Sequence, residues 1–405
     1  MLKLALDLRG TLRTDFPLLV SGQGVFQFKT TSPYVDLATF RVYTENKTAG
    51  LNVEFTRTGV NVRNMSNLEP FIDKKNNRGI TSAEGATYWF SIDAQNQILY
   101  AGLGEARIET VIYTFIFSKE QQKSNKNFLE NLKTIEYSES SINPIRLLRD
   151  PVTFTVPLLV KNTDSLTMSD IAKGEYMPKS NLSDVSQRLY DCISGKNFVL
   201  NDKDFPDFSK AIEYSINTPG CWCNKTLKAK ASEFSKTNPN ILETYLRITL
   251  GQNNGESPGI PYVMEIWPVG HYSPIHSHSN ANAIIRVLHG TITVRLYPFL
   301  CTQKDLVHPF AITNFKKDDV TWISPTLNQI HKLENQESNK ELCVTIQCYM
   351  YDTSDNTHYD YFDYIDSDGL KQQYEPDSDM DFIEFKKLMK YEWVSRSICS
   401  KMLGI

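Results

Sequence analysis

The order of apolar and polar residues changes character along the chain. In the first 118 residues the apolar positions alternate. Leu51, Val53 and Phe55 are separated by Asn52 and Glu54, the period-two pattern of a half-buried strand. Val25, Phe26 and Phe28 form another short run. Tyr88–Asp93 and Gln97–Tyr100 flank a polar turn, which predicts a hairpin. Ile108–Phe117 is a further stretch rich in β-branched and aromatic residues. Short strands at regular spacing predict a β-sandwich over residues 1–118.

Residues 119–160 read as a linker region, polar at first, with a short helix expected around Phe128–Leu132. Helical spacing follows. Leu182, Val185, Leu189 and Ile193 share one face, with Ser183 placed to cap it. A second helix is predicted from Asp207 to Ile216, ending before Pro219 and Gly220. From Leu242 to about Tyr351 the pattern is strand-like again, and Asp381–Leu403 reads as an amphipathic helical tail. Residues 161–405 are therefore expected as a second domain, a β-barrel with helices before and after it. The fold class is mainly β, which 20 Tyr and 21 Phe also favour.

Composition narrows the partners. The chain has 405 residues, a net charge of −4 and 40 % hydrophobic residues, enough for two soluble domains. No basic excess marks a nucleic-acid surface. No apolar run approaches the roughly 20 residues of a membrane span. The start, Met1-Leu-Lys-Leu-Ala-Leu-Asp-Leu-Arg9, does not read as a secretory signal, so the expected location is cytoplasmic. All seven cysteines lie between Cys192 and Cys399, and reduced thiols are expected.

The histidines carry the candidate chemistry. All seven fall between His271 and His358. In the segment Gly270-His-Tyr-Ser-Pro-Ile-His276-Ser-His278, His276 and His278 stand at i and i+2, one face of a strand. His331 follows a turn at Pro325–Asn328. Three neutral imidazoles suit a transition metal and leave roughly three positions of an octahedral ion open. His271, His289, His308 and His358 sit in loops or polar stretches and are not expected to act. The acidic run Asp360–Asp368 lacks the glycine and terminal glutamate of a calcium loop. Gly102-Leu-Gly104 reads as a turn.

Trp267-Pro-Val-Gly270, His276-Ser-His278 and Gly290, with Pro325, His331 and Asn335, resemble the two cupin motifs. The usual glutamate ligand is missing, with Asn282 and Ala283 in its place. That loss, with Tyr245-Leu-Arg247 and Cys343–Tyr349, resembles the cysteine dioxygenase family over roughly residues 180–365. The resemblance implies a cupin barrel holding Fe(II) through His276, His278 and His331. It implies that Arg247 binds a substrate carboxylate beside Tyr245, and that Tyr349 approaches substrate and dioxygen. The partners would be a small thiol and O2, the product a sulfinate. Two departures stand out. Ala283 replaces the cysteine that in animal members crosslinks to the tyrosine. Gln347 and Thr345 replace the histidine and serine of the relay that ends at Tyr349, and Gln347 cannot titrate.

In the first domain, Phe26–Lys29 and Tyr88–Asp93 with Ile98–Gly104 weakly resemble the lectin-like farnesoic acid O-methyltransferase domain. That resemblance implies a binding module for carbohydrate or protein. It also motivates a different class of function, in which the cupin is a metal-bearing scaffold of a binding protein.

Overall fold

The structure is a computed structural model that describes residues 5–8, 14–32, 34–73, 77–137, 142–194, 198–251, 262–351 and 361–403. It is mainly β, as the patterning predicts, and separates into two units. One comprises residues 2–156 with Tyr297–Phe310; the other comprises Pro157–Leu296 and residues 311–405.

The N-terminal unit has two six-stranded sheets. One runs β1 (Ala5–Asp7), β12 (Ile142–Leu148), β3 (Gln23–Thr30), β8 (Thr87–Asp93), β9 (Ile98–Leu103) and β10 (Val111–Ile116). The other runs β2 (Asp15–Pro17), β11 (Leu132–Tyr137), β4 (Leu37–Thr44), β5 (Gly50–Thr56), β6 (Val60–Asn64) and β7 (Pro70–Phe71). Leu51, Val53 and Phe55 are buried along β5, as their alternation predicts. An aromatic layer joins the sheets. Phe28 on β3 lies 4.7 Å from Phe40 on β4 and 4.9 Å from Phe55 on β5, ring centre to ring centre. The predicted hairpin is β8–β9, closing at Asp93 opposite Ile98.

Residues 119–148 differ from the expected linker. Helix α1 (Lys119–Glu130) opens on a capping box between Ser118 and Gln121. Strand β11 then pairs with β4, and β12 with β3, so this stretch completes both sheets. Its polar residues face outward while Leu132, Ile135 and Leu147 are buried, a sparse pattern that reads as linker when taken locally. Tyr297–Phe310, expected within the second domain, also belongs with the N-terminal unit. Buried Arg107 accounts for part of this. It pairs with Glu109 at 2.8 Å and lies 4.8 Å from the centre of the Phe310 ring.

The second unit has an eight-stranded and a six-stranded sheet. The first runs β14 (Tyr176–Pro178), β13 (Leu159–Lys161), β21 (Val320–Ile323), β18 (Asn282–His289), β23 (Cys343–Met350), β16 (Tyr262–Trp267), β15 (Leu246–Gly251) and β26 (Met380–Asp381). The second runs β20 (Ala311–Lys316), β19 (Thr291–Leu296), β22 (His331–Glu334), β17 (Ile275–His276), β24 (Phe362–Ile365) and β25 (Lys371–Tyr374). Inward side chains of both sheets line one cavity.

After a short helix α2 (Met168–Lys173), the two predicted helices appear as α3 (Asp184–Ile193) and α4 (Phe208–Asn217). Ser183 caps α3 by accepting from the Ser186 amide, and both hydroxyls donate to Asn282 on β18. Thus Asn282, where the usual glutamate ligand would come, serves to anchor a helix. Helices α5 (Trp222–Ala229) and α6 (Phe382–Leu403) complete the unit. Phe208 on α4 and Trp222 on α5 both pack on Phe385 of α6. None of the described helices is long and apolar enough to cross a membrane. The six described cysteines are free.

The turn from β18 to β19 rests on Gly290. Its φ is +71°, and a Cβ there would sit 2.3 Å from the Leu342 carbonyl oxygen. Both strand backbones would have to move. Gly290→Ala is expected to cost about 1–3 kcal/mol, read as a lower urea midpoint by tryptophan fluorescence. An unchanged midpoint would show that the turn is not constrained as described.

Candidate metal centre

His276 on β17 and His331 at the start of β22 are direct partners across an antiparallel pair. His278 lies beyond the end of β17, in a loop that turns through Ser279 (φ 48°) and Asn280 (φ 65°). Alternation along one strand is therefore not what gathers the three rings. Two meet across strands, and the turn brings in the third. His331 is aimed by the preceding turn, where Asn328 (φ 63°) donates to the Trp322 carbonyl at 3.0 Å.

The three rings converge. The His278 and His331 Nε2 atoms are 3.1 Å apart, and one nitrogen from each of the three lies within 4.8 Å of the others. His276 Nδ1 donates to the Pro274 carbonyl at 3.0 Å, and His331 Nδ1 to the Asn328 carbonyl at 3.2 Å. Those bonds fix the tautomer and turn the Nε2 lone pairs into the cavity. His278 Nδ1 is buried without a partner. The donor set fits a transition-metal ion. A separation of 3.1 Å is close to that of adjacent ligands on an ion with metal–nitrogen bonds of about 2.1 Å.

Desolvation in the cavity keeps the imidazoles neutral. It lowers His276 to about 4 and His331 to about 3, and holds His278 well below 6.5 with help from its two neighbours and Arg247. Neutral imidazole is the form that binds metal.

The cavity, roughly 950 Å³ including the part open to solvent, has distinct ends. Ile285, Val287, Val294, Leu296 and Phe315 make one apolar. Sheet register builds the other. Arg247 on β15 faces Glu265 on β16, which faces Thr345 on β23. Thr345, Gln347 and Tyr349 alternate inward along β23, and all three line the cavity with Tyr245 and Arg247. The structure thus brings together all eight residues singled out in the sequence.

Their contacts differ from a simple anion anchor. Arg247 Nη1 donates to Glu265 Oε1 at 2.7 Å, with the two side chains only 2 % and 4 % exposed. Arg247 Nη2 is buried without a partner. Burial opposes the guanidinium charge, and Glu265 together with Tyr245, Tyr349 and Tyr374 outweighs it. Burial likewise pushes the Glu265 carboxyl up, against the pull of Arg247 and a hydrogen bond from Gln347. Gln347 therefore braces Glu265. Thr345 Oγ1 is buried without a partner.

Tyr349 stacks on His278, the two rings 5.3 Å apart and 17° from parallel. Phe362, 4.7 Å from His278, packs on the same imidazole. Burial raises the Tyr349 hydroxyl far above its ordinary value, so it remains a proton-bearing donor. Ala283 is its direct cross-strand partner, and its methyl group offers no sulfur for a crosslink. Tyr245 is held between Trp267 at 4.3 Å and Phe234 at 6.2 Å.

Sequence reasoning missed Glu265 and Phe362. For Glu265 a signal existed: it is the lone charge within Tyr262-Val-Met-Glu-Ile-Trp267, a run otherwise fit for burial. Phe362 gave none, because its strand follows a polar stretch. Among the other histidines, His271 Nδ1 bonds the Thr244 carbonyl at 2.9 Å, His289 pairs with Glu341 at 3.2 Å, and His308 is exposed. His358 and Asp360 lie outside the described residues. The rest of the acidic run builds the β24–β25 hairpin, with Asp366 accepting from the Leu370 amide at 2.8 Å.

No protein-family model matches the chain. Three similar solved structures show low identity and partial coverage. The cupin domain of Schizosaccharomyces pombe Cnp3 is 16 % identical, over 27 % of this chain and 66 % of that one, at a TM-score of 0.21. A Ralstonia eutropha protein of unknown function with a cupin-like fold is 13 % identical, over 39 % and 73 %, at 0.21. Hydroquinone 1,2-dioxygenase PnpCD, in complex with Cd2+ and 4-hydroxybenzonitrile, is 15 % identical, over 26 % and 64 %, at 0.19. This chain thus covers slightly less than two thirds of the first and third.

Two outcomes are expected. The purified protein should retain about one equivalent of divalent transition metal after dialysis, and His278→Ala should retain little, as read by elemental analysis; equal retention would exclude the triad as the site. The metal-free protein should lose stability on acidification. The folded imidazoles titrate below 6.5, so between that value and about pH 4 the unfolded chain binds more protons. The urea midpoint should therefore be lower at pH 5 than at pH 7.5, and this difference should shrink when His331 is replaced by Gln. A difference unchanged by that substitution would contradict the assignment.

Proposed function

We propose that the C-terminal unit is a non-haem iron(II) thiol dioxygenase that converts a small, carboxylate-bearing, cysteine-like thiol to a sulfinate. The observation that supports this reading best is the joint placement of three converging imidazoles, Tyr349 and the unpartnered Arg247 Nη2 in one cavity. His276, His278 and His331 would hold iron(II), which would supply oxygen activation and lower the thiol pKa. Both oxygen atoms end on sulfur, so no external reductant enters the balance.

The chain's own residues then do the positioning. Arg247 Nη2 donates to the substrate carboxylate. Tyr349, kept protonated by burial, donates a hydrogen bond near the triad and orients the reacting groups. Trp267, Tyr245 and Phe362 wall the site with aromatic surface and limit water. Holding the reactants in one geometry is where this arrangement gains rate.

A second reading is a metal-bearing binding protein, with the N-terminal sandwich recognising carbohydrate or protein. Gln347 favours it, because the side chain braces Glu265 and cannot relay a proton to Tyr349.

Anaerobic iron loading followed by oxygen uptake with cysteine, 3-mercaptopropionate and cysteamine tests the choice. The expected result is one O2 consumed per thiol, with sulfinate as product. Tyr349→Phe should lower kcat roughly 10- to 100-fold without loss of iron. Iron retained with no uptake for any thiol would refute the dioxygenase and leave the binding protein. Activity restored by manganese or nickel but not iron would overturn the choice of metal.

A further inference from the structure

Glu265 has no role in the proposed chemistry, yet it is the closest charged neighbour of the substrate anchor. Its carboxylate holds Arg247 Nη1 at 2.7 Å, and Gln347 braces it from the adjoining strand. The pair is buried, so neither charge is screened by water. Arg247 lines the cavity, and its Nη2 is buried without a partner. A guanidinium with both terminal nitrogens free would fork onto a carboxylate through two parallel bonds. Here one tine is taken.

The consequence is electrostatic as well as geometric. Arg247 with Glu265 carries no net charge. An incoming carboxylate gains one hydrogen bond from Nη2 and meets the Glu265 carboxylate a few ångströms behind it. A neutral carbonyl accepts the same hydrogen bond without that repulsion.

We propose that Glu265 is a specificity-determining residue of this site: it makes Arg247 the donor half of a neutral pair, so the cavity takes thiols bearing an uncharged amide on nearly the same terms as thiol carboxylates. The proposal rests on the thiol reading of the cavity. It widens the substrate class from thiol acids to thiol amides.

The test uses two ligands of the same shape, 3-mercaptopropionic acid and 3-mercaptopropionamide. Each is titrated calorimetrically, without oxygen, into the iron-loaded full-length protein. The expected dissociation constants agree within about tenfold. A preference for the acid beyond tenfold, or no binding of the amide, overturns the proposal. Glu265→Gln keeps the shape and an acceptor for Arg247 while removing the charge. It should tighten binding of the acid by about tenfold and leave the amide unchanged. A purely structural role predicts weaker binding of both, and that result, or an unaltered ratio, also overturns it. If the variant does not fold, the wild-type comparison decides alone. Binding that follows the expected ratios without sulfinate formation would refute the dioxygenase and spare the role of Glu265. Sulfinate formed with an acid preference beyond tenfold would do the reverse.

Discussion

Three imidazoles and an ion pair share one largely apolar cavity, and their desolvation governs the site. Each group must be neutral or partnered to be tolerated there. The histidines meet the requirement by losing their protons, with two of them anchored to backbone carbonyls at 3.0 and 3.2 Å. Arg247 meets it through Glu265. What is left unsatisfied is informative: His278 Nδ1, Arg247 Nη2 and Thr345 Oγ1. Unmet donors and acceptors buried in the cavity mark where a metal and a polar ligand would repay their burial.

The sheets set which groups satisfy one another. Register across β15, β16 and β23 lines up Arg247, Glu265 and Thr345 in one row. Alternation along β23 then adds Gln347 and Tyr349 on the same face. The opposite sheet contributes the imidazoles through the His276–His331 pair. A one-residue slip of β23 would turn its three polar side chains away and bring Cys348 and Ile346 inward. The positions of Gly290 and of the Asn282–α3 anchor are therefore part of the site's construction, although neither touches the cavity's polar end.

The resemblance to cysteine dioxygenases drew attention to Gln347 as a lost proton relay. In the structure Gln347 acts on a different partner. It bonds Glu265, so the departure from the relay and the neutralised arginine belong to one network.

Much was legible from the sequence because it depends on local spacing. The strand alternation at Leu51–Phe55, the helices capped at Ser183 and ended at Pro219, and the scarcity of histidine outside one segment all follow from neighbours within a few residues. So did the pairing of His276 with His278, whereas Arg247 and Tyr349 stood out only through the resemblance to the cysteine dioxygenase family. Other features depend on partners far along the chain. The stretch 119–148 looks like a linker until β11 and β12 find β4 and β3. Tyr297–Phe310 leaves its sequence neighbours for the N-terminal unit, where Arg107 meets Phe310. Glu265 reads as an oddity in an apolar strand until Arg247, 18 residues away, fixes its charge. The sequence determined which groups are present to do chemistry. Only the tertiary structure decided which of their charges cancel, because unscreened buried charges neutralise one another only in direct contact, and which groups touch is set by register between strands.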